Sequence, residues 1–187
     1  DDAKYCLTGR TFNISNGISN TTLEDMLDLV AVSIAADIVP MVDENRIMTY
    51  HGLKRLNTNP NMGLRAIIKI CQLTGKEITI SDVIFKIGPR INASGRMQCG
   101  RDAVELLVAR DISDAYDKAK DIDQYNKDRK ELDKRITEEA NAILEARGER
   151  DSDKKSIVIY NKDWHKGIIG IVASRLTELY YKPSVVL

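Results

Sequence analysis

The sequence predicts a two-lobed α/β protein, in which a long charged helix joins a helical lobe to a smaller lobe with a parallel sheet. Three observations predict this fold. Residues 26–36 are apolar on nearly every side of a helix, more than half of residues 111–155 are charged, and residues 156–187 follow a strand–helix–strand pattern. The chain has 187 residues, of which 43% are hydrophobic, so a packed core is expected.

Composition excludes several classes of protein. The 28 basic and 28 acidic residues give zero formal net charge, so any nucleic-acid site must be a local basic cluster. No apolar run reaches 18 residues, so no membrane-spanning helix is expected, and the first residues do not resemble a secretory signal. The three cysteines form no CxxC pair, which argues against a disulfide framework or structural zinc and fits a reducing cytoplasm.

The first lobe is predicted to be helical. Its apolar helix should end near Asp37, because Pro40 disfavours helical geometry in the residue before it. Asp28 is expected on the polar side of this helix. Two more helices are predicted at residues 45–56 and 63–73, and a fourth begins at residue 81 and is expected to stop at Gly88-Pro89.

The charged stretch is predicted to be one long helix that connects the two lobes. Small or apolar residues recur on one face at Ala115, Ala119, Ile122, Ile136, Ala140 and Ile143. Asn126 and Arg129 interrupt this stripe midway, and Gly148 offers a left-handed cap at the end of the helix. The predicted divisions are residues 1–110, 111–153 and 154–187.

A βαβ unit is predicted beyond the connector. Strands at residues 156–160 and 184–187 flank a helix at residues 168–181, which implies parallel pairing. Because the second strand is the end of the chain, residues outside it are expected to complete the sheet, as in a fragment of a longer protein.

A basic turn is the first candidate site. Residues 83–101 contain no acidic residue but include Lys86, Arg90, Arg96 and Arg101. Gly88–Arg96 is predicted as a glycine-bounded turn in which Asn92 and Ser94 add polar groups. Guanidinium groups match phosphate oxygens in pairs, so the segment suits a phosphodiester backbone. The alternative is an ordinary turn with solvated arginines.

A loop before the last helix is the second candidate. His165 precedes Gly167 and Gly170 there, and the amides of a first helical turn can bind an anion. His165 could donate to a phosphate or transfer a proton. The alternative is a structural or merely exposed histidine, and Trp164 is expected to pack in the core.

Asp37 is the third candidate, as an acid at the end of the most apolar segment. If it is buried, it must be paired, protonated or bound to a metal. Carboxylates suit Mg²⁺ or Mn²⁺, although a helix-terminal acid that caps a backbone group is an equal alternative.

Three stretches resemble motifs of the bacterial RecJ exonucleases, which belong to the DHH phosphoesterase superfamily. Residues 27–40 resemble "LDLVALGTVADVVPL", the last acidic motif of the DHH domain. Residues 88–96 resemble "GPRLNAAGR", with Ser94 where alanine is usual. Residues 164–176 resemble "WHxGVVGIVASRL", which opens the DHH-associated domain. The resemblance covers about residues 23–187, whereas residues 1–22 match poorly.

The resemblance implies a DHH phosphoesterase-type fold, in which the C-terminal part of the DHH domain is joined by a long helix to the start of the DHH-associated domain. It also implies a 5′→3′ exonuclease that degrades single-stranded DNA in recombination and repair and uses Mn²⁺ or Mg²⁺. Under this resemblance Asp37 would be a metal-binding, catalytic carboxylate and His165 a second catalytic residue. The implied phosphate-binding residues are Arg90, Asn92, Ser94, Arg96, His165, Gly167 and Gly170.

The family's Asp-His-His triplet and its earlier acidic motifs are absent from the sequence, so this chain alone is expected to lack nuclease activity. The expected partners are single-stranded DNA, the remaining part of the same polypeptide and unidentified repair proteins, with no membrane. Two alternatives stay open: a phosphoesterase for short oligonucleotides or cyclic dinucleotides, and a non-catalytic DNA-binding or scaffold relative.

Overall fold

A computed structural model describes residues 24–149 and 153–187, and these residues form two apolar cores joined by one long helix. The first lobe contains α1 (Leu27–Ala36), α2 (Asp43–Thr58), α3 (Met62–Ile70), α4 (Ile80–Asp82), α5 (Gly88–Met97) and α6 (Gly100–Leu107). The long helix is α7 (Ile112–Ala146), and the second lobe contains β1 (Ile157–Ile159), α8 (Ile169–Tyr180) and β2 (Ser184–Val186). The described helices include no candidate for a membrane-spanning segment. The predicted two-lobed α/β architecture is confirmed.

The predicted apolar helix is α1, and it is buried between neighbouring helices. Val30 and Ile34 are fully enclosed, as the all-round apolar pattern predicts. The backbone of α2 approaches it closely at Gly52, where a Cβ atom would lie 2.1 Å from the Leu27 carbonyl oxygen. Only glycine fits at this crossing, so the sequence of α2 permits the close packing of α1 against it.

The prediction that Asp28 lies on the polar side of α1 is wrong, because Asp28 is completely buried. Its carboxylate accepts hydrogen bonds from the backbone amides of Leu29, at 2.8 Å, and Asn61, at 2.5 Å. Asn61 is the N-cap of α3, and its own side chain accepts from the Gly63 amide. The Asp28 carboxylate therefore connects α1 to the start of α3 and is satisfied without solvent.

The segment predicted to stop at Gly88-Pro89 instead stays helical to Met97. A π-helical turn at Val83–Ile87 lies between α4 and α5, so the chain is helical from Ile80 onward. Pro89 is the second residue of α5, directly after the π-helical turn, and the chain continues as a helix through it. The predicted turn at residues 88–96 is thus a helix, with one side against the core and the other exposed.

The predicted connector is confirmed as α7, whose two halves belong to different cores. Its first half contributes small and apolar residues to the core of the first lobe, and its second half contributes to the core of the second lobe. The buried residues that form this face include Ala115, Ala119, Ile122, Ile136, Ala140 and Leu144. Asp111 caps the start of α7, and Gly148, with φ of +64°, follows its end. The division of the chain at residues 110 and 153 stays a prediction.

The second lobe is the predicted βαβ unit. β1 and β2 pair in parallel, with Ile157 opposite Ser184 and Ile159 opposite Val186. Trp164 packs in this core, as expected, and its indole N–H donates to Glu139 Oε2 of α7 at 2.9 Å. This hydrogen bond and the shared apolar core hold the loop before α8 against the long helix.

Candidate nucleic-acid interface

The basic segment at residues 88–96 and the loop that contains His165 meet where the two lobes join. Gly167, in the loop before α8, lies directly on the last turn of α5, where a Cβ atom on Gly167 would be 2.2 Å from the Arg96 carbonyl oxygen. In return, Arg96 Nη1 donates to the Gly167 carbonyl oxygen at 3.4 Å across 71 residues of sequence. We call this contact region the lobe junction, defined by Arg96 and residues 165–167.

The exposed face of α5 leads to the lobe junction. Asn92 and Arg96 are both exposed and lie four residues apart, so their side chains project from neighbouring turns of the same face. Arg96 forms no ion pair with any described residue. An unpaired guanidinium beside an amide is a suitable pair of donors for phosphate oxygens.

Arg90 faces the opposite side of α5 and binds within the protein. Its Nε donates to Asp123 Oδ1 of α7 at 2.8 Å, and its Nη1 donates to the Lys86 carbonyl oxygen at 2.7 Å. Burial alone would raise the pKa of Asp123, but hydrogen bonds from Lys127 and Arg90 outweigh it and lower that pKa below its ordinary value. The structure therefore gives Arg90 a role in joining α5 to α7, and a phosphate contact would compete with this ion pair.

Ser94 is fully buried, and its hydroxyl donates to the Cys99 carbonyl oxygen at 2.7 Å. This bond closes the short connection between α5 and α6. The phosphate contact predicted for Ser94 would require this connection to open, so we assign Ser94 to the local fold.

His165 is half-buried at the lobe junction and organises the turn before α8. Its Nδ1 accepts from the Gly167 amide at 3.1 Å, and its carbonyl oxygen accepts from the amides of Ile168 and Ile169. An accepting Nδ1 carries no proton, so Nε2 is the donor of the neutral ring. An anion at this helix start would have to displace these internal bonds, and the free donor is therefore the imidazole rather than the Gly167 amide.

Gly170 differs from Gly167 in its surroundings. It is exposed, and no atom lies within 4 Å of the position that a Cβ would take. Open space is thus the one feature of the described structure that supports the phosphate contact predicted for Gly170.

Asp37 follows the last residue of α1 and is exposed. The adjoining Ala36 packs against Gly88, whose added Cβ would lie 3.1 Å from the Ala36 Cβ. Asp37 is thus near the start of α5, whereas Arg96 is near its end, about 12 Å further along the helix axis. No group of three or more histidine, cysteine or acidic residues in the described ranges could hold a metal ion. The described residues therefore do not form a metal centre by themselves.

Sequence reasoning missed two arginines near the lobe junction. Arg129 lies midway along α7, half-buried, and its Nη2 donates to Asn126 Oδ1 at 3.3 Å. Arg175 of α8 donates through Nη2 to Asp133 Oδ2 at 2.8 Å. The signal in the sequence is the polar pair Asn126 and Arg129, which stands where the apolar stripe of α7 would otherwise continue.

Comparison with known proteins finds relatives that this chain matches along part of their length. No family model matches the chain. It is 36% identical over 179 residues to the single-stranded-DNA-specific exonuclease RecJ of Bacillus subtilis, aligning 96% of this chain with 22% of that protein. It is 33% identical over 170 residues to the protein of the same name from Escherichia coli, aligning 90% of this chain with 30% of that protein.

Solved structures agree with this relationship. RecJ from Thermus thermophilus in complex with Mn²⁺ superposes with a TM-score of 0.76 at 29% identity, covering 88% of this chain and 24% of that chain. A structure of exonuclease RecJ bound to manganese has a TM-score of 0.76 at 30% identity, covering 88% of this chain and 40% of that one. The chain spans less than a third of the length of the curated relatives it matches.

Proposed function

We propose that this chain, a relative of the RecJ exonucleases along part of their length, is the segment of a metal-dependent 5′→3′ exonuclease that holds single-stranded DNA where its two lobes join. The contact between Arg96 and Gly167 carries the proposal, because it brings two separate motifs to one surface. The relatives are single-stranded-DNA-specific exonucleases, and RecJ has been solved in complex with Mn²⁺ and with Mg²⁺, which supports this substrate and these metals.

The chain's own residues would bind the DNA backbone from both lobes. Asn92 and Arg96 donate from the exposed face of α5, and His165 donates through Nε2 from the second lobe. Donors on two lobes that converge on one strand favour a flexible single strand over a duplex, whose second strand would need room at the same junction. This arrangement accounts for a preference for single-stranded DNA without any contact to a base.

The metal chemistry needs more than the described residues offer. A bound Mn²⁺ or Mg²⁺ activates water and stabilises charge on a phosphodiester. Asp37 can supply one carboxylate ligand at the start of α5, but the described residues hold no complete ligand set. We therefore assign no catalytic step to this chain and propose that it lacks nuclease activity by itself. We also propose a cytoplasmic role in DNA recombination and repair.

A substrate series on this chain and on a complete protein that contains it tests the proposal. We expect this chain to bind single-stranded oligonucleotides more tightly than duplexes, without degrading them in Mn²⁺. The complete protein should degrade long single strands from the 5′ end. Preferential hydrolysis of dinucleotides or cyclic dinucleotides would favour the phosphoesterase alternative. DNA binding without hydrolysis by the complete protein would favour the scaffold alternative.

A further inference from the structure

Arg129, in the middle of α7, is a partly buried arginine whose guanidinium hydrogen-bonds to a neutral side chain. Its Nε is completely enclosed and has no hydrogen-bond partner, and its Nη2 reaches only the neutral side chain of Asn126, at 3.3 Å. It forms no ion pair with any described residue. Burying a charge without a counter-ion is unfavourable, so a partly buried arginine that ends on an amide needs an explanation.

Two other arginines lie close enough to repel it. Burial lowers the pKa of Arg129 below its ordinary value, the nearby Asp133 opposes this, and the charges of Arg96 and Arg175 lower it further. Asp133 is already paired with Arg175 at 2.8 Å. Asp133 is therefore the carboxylate that acts on Arg129, and because it is already paired with Arg175, positive charge exceeds negative charge around Arg129.

An open groove between α7 and α8 exposes this charge to solvent. Its volume is about 410 Å³, and it is lined by Arg129, Lys130, Asp133, Lys134, Thr137, Glu138 and Arg175. The two acids of the lining each form one ion pair, Asp133 through Oδ2 with Arg175 and Glu138 with Lys134 at 3.9 Å, whereas the buried Asp133 Oδ1 has no hydrogen-bond partner. Among the basic side chains that line the groove, Arg129 and Lys130 therefore form no ion pair with a carboxylate of the described residues. The enclosed Thr137 Oγ1 also lacks a partner and faces the same groove.

We propose that Arg129 binds a phosphate of the DNA backbone in this groove, where Arg175 also lines the wall and the charge of Arg96 is close enough to act on Arg129. This inference rests on the proposed function and adds a third element, α7, to the strand-binding surface. A phosphate would supply the missing counter-charge to Arg129 and relieve its repulsion from Arg96 and Arg175. The planar guanidinium suits this role because it can bind two phosphate oxygens while Asn126 holds its orientation.

Substitution of Arg129 by glutamine and by lysine tests the inference in this chain. R129Q removes the charge but retains an amide that can reach Asn126. R129K keeps the charge but loses the planar guanidinium that can bind two phosphate oxygens. Binding to a fluorescent oligothymidylate is measured from low to moderate salt, together with the melting temperature. We expect R129Q to raise Kd about 10- to 100-fold and to lower the salt slope by about one, and R129K to restore the slope.

Arg135→Gln is the matched control, because it removes one positive charge from the same helix at a site that is 64% exposed. Its effect on the salt slope should be smaller than that of R129Q. If the dependence of binding on salt concentration were the same for R129Q and R135Q, the inference would be overturned. The inference would also be overturned if R129Q lowered the melting temperature, R129K restored it, and both variants bound the oligothymidylate as tightly as the unaltered chain. If Arg96→Ala weakens binding but R129Q does not, the proposed function stands and this inference fails. If the unaltered chain binds no oligothymidylate at low salt, the proposed function fails and this inference with it.

Discussion

Gly167 and Arg96 touch through their backbones, although 71 residues separate them in sequence. A Cβ atom on Gly167 would lie 2.2 Å from the Arg96 carbonyl oxygen and 3.2 Å from the Arg96 Cα. No side chain fits at this distance unless the backbone moves. The absence of a side chain at Gly167 is therefore what allows the second lobe to settle on the end of α5, and it couples the position of His165 to that of Arg96.

Gly167→Ala should separate the two lobes at this contact. The obstructing atoms belong to backbone, so we expect the free energy of unfolding to fall by about 1–3 kcal/mol, as for other overpacked sites. Single-stranded DNA binding should weaken as well, because Arg96 and His165 would no longer share one surface. Gly170→Ala is the matched control for stability: its Cβ would meet nothing within 4 Å, and alanine favours a helix more than glycine does, so the free energy of unfolding should not fall in chemical denaturation. Equal stability of the two variants would contradict the tight contact.

Arg96→Ala should weaken binding to single-stranded DNA by about 1–3 kcal/mol and lower the salt slope by about one, because an unpaired cation is removed from the strand path. Arg101→Ala is the comparison, since Arg101 comes from the same acid-free segment but is 79% exposed and already paired with Glu105. Its loss should change binding less. An unaltered slope for Arg96→Ala would place this residue away from the DNA backbone.

Arg90→Ala should destabilise the protein more than it weakens DNA binding. The Arg90–Asp123 pair is less than a fifth exposed on either side, so removing one partner leaves a partly buried charge. A double-mutant cycle with Asp123→Ala should give a coupling free energy of about 1–3 kcal/mol in chemical denaturation. If Arg90→Ala instead leaves stability intact and reduces binding as strongly as Arg96→Ala, the phosphate role implied by the family resemblance is correct for Arg90.

Asp82 should make stability depend on pH in the acid range. Its carboxylate accepts from Lys86 and from the amide and hydroxyl of Thr79, which lowers its pKa from 3.8 to about 2. Because the folded-state pKa is depressed, this stabilisation is complete above about pH 4 and is lost as the pH falls towards 2. Asp82→Ala should cost about 1 kcal/mol at pH 7 by removing the capping box, and less at pH 2. Denaturation midpoints at the two pH values measure the difference, and an equal loss at both would contradict the assignment.

Asp37→Ala should separate chemistry from binding in a complete protein that contains this chain. The side chain is exposed at the end of α1, so its removal should leave the melting temperature and DNA affinity unchanged. Loss of a metal ligand should abolish strand degradation in Mn²⁺ or Mg²⁺. Equal losses of binding and turnover would indicate misfolding, and full activity would remove Asp37 from the proposed metal site.

Periodicity and capping residues predicted most of the helices, because these signals act between residues close in sequence. The apolar repeat of α7 and Gly148 after its end predicted this long helix correctly. The sequence predicted that the helix stops at Gly88-Pro89, because a proline usually ends a helix. In the structure a π-helical turn precedes Pro89, and the chain stays helical to Met97. The location of Asp28 was mispredicted because its partner is the amide of Asn61, 33 residues away.

The order of the motifs, the family resemblance and the candidate residues could all be extracted from the linear chain, since each depends on residue type and spacing. The linear chain could not predict which of those residues face outward. Ser94, Arg90 and Arg96 lie within seven residues of one another, yet one is enclosed, one is paired with Asp123 and one is exposed at the lobe junction. Those outcomes depend on which surfaces pack against α5 after folding, and the surfaces that do so come from α7 and from the loop at Gly167, far along the chain.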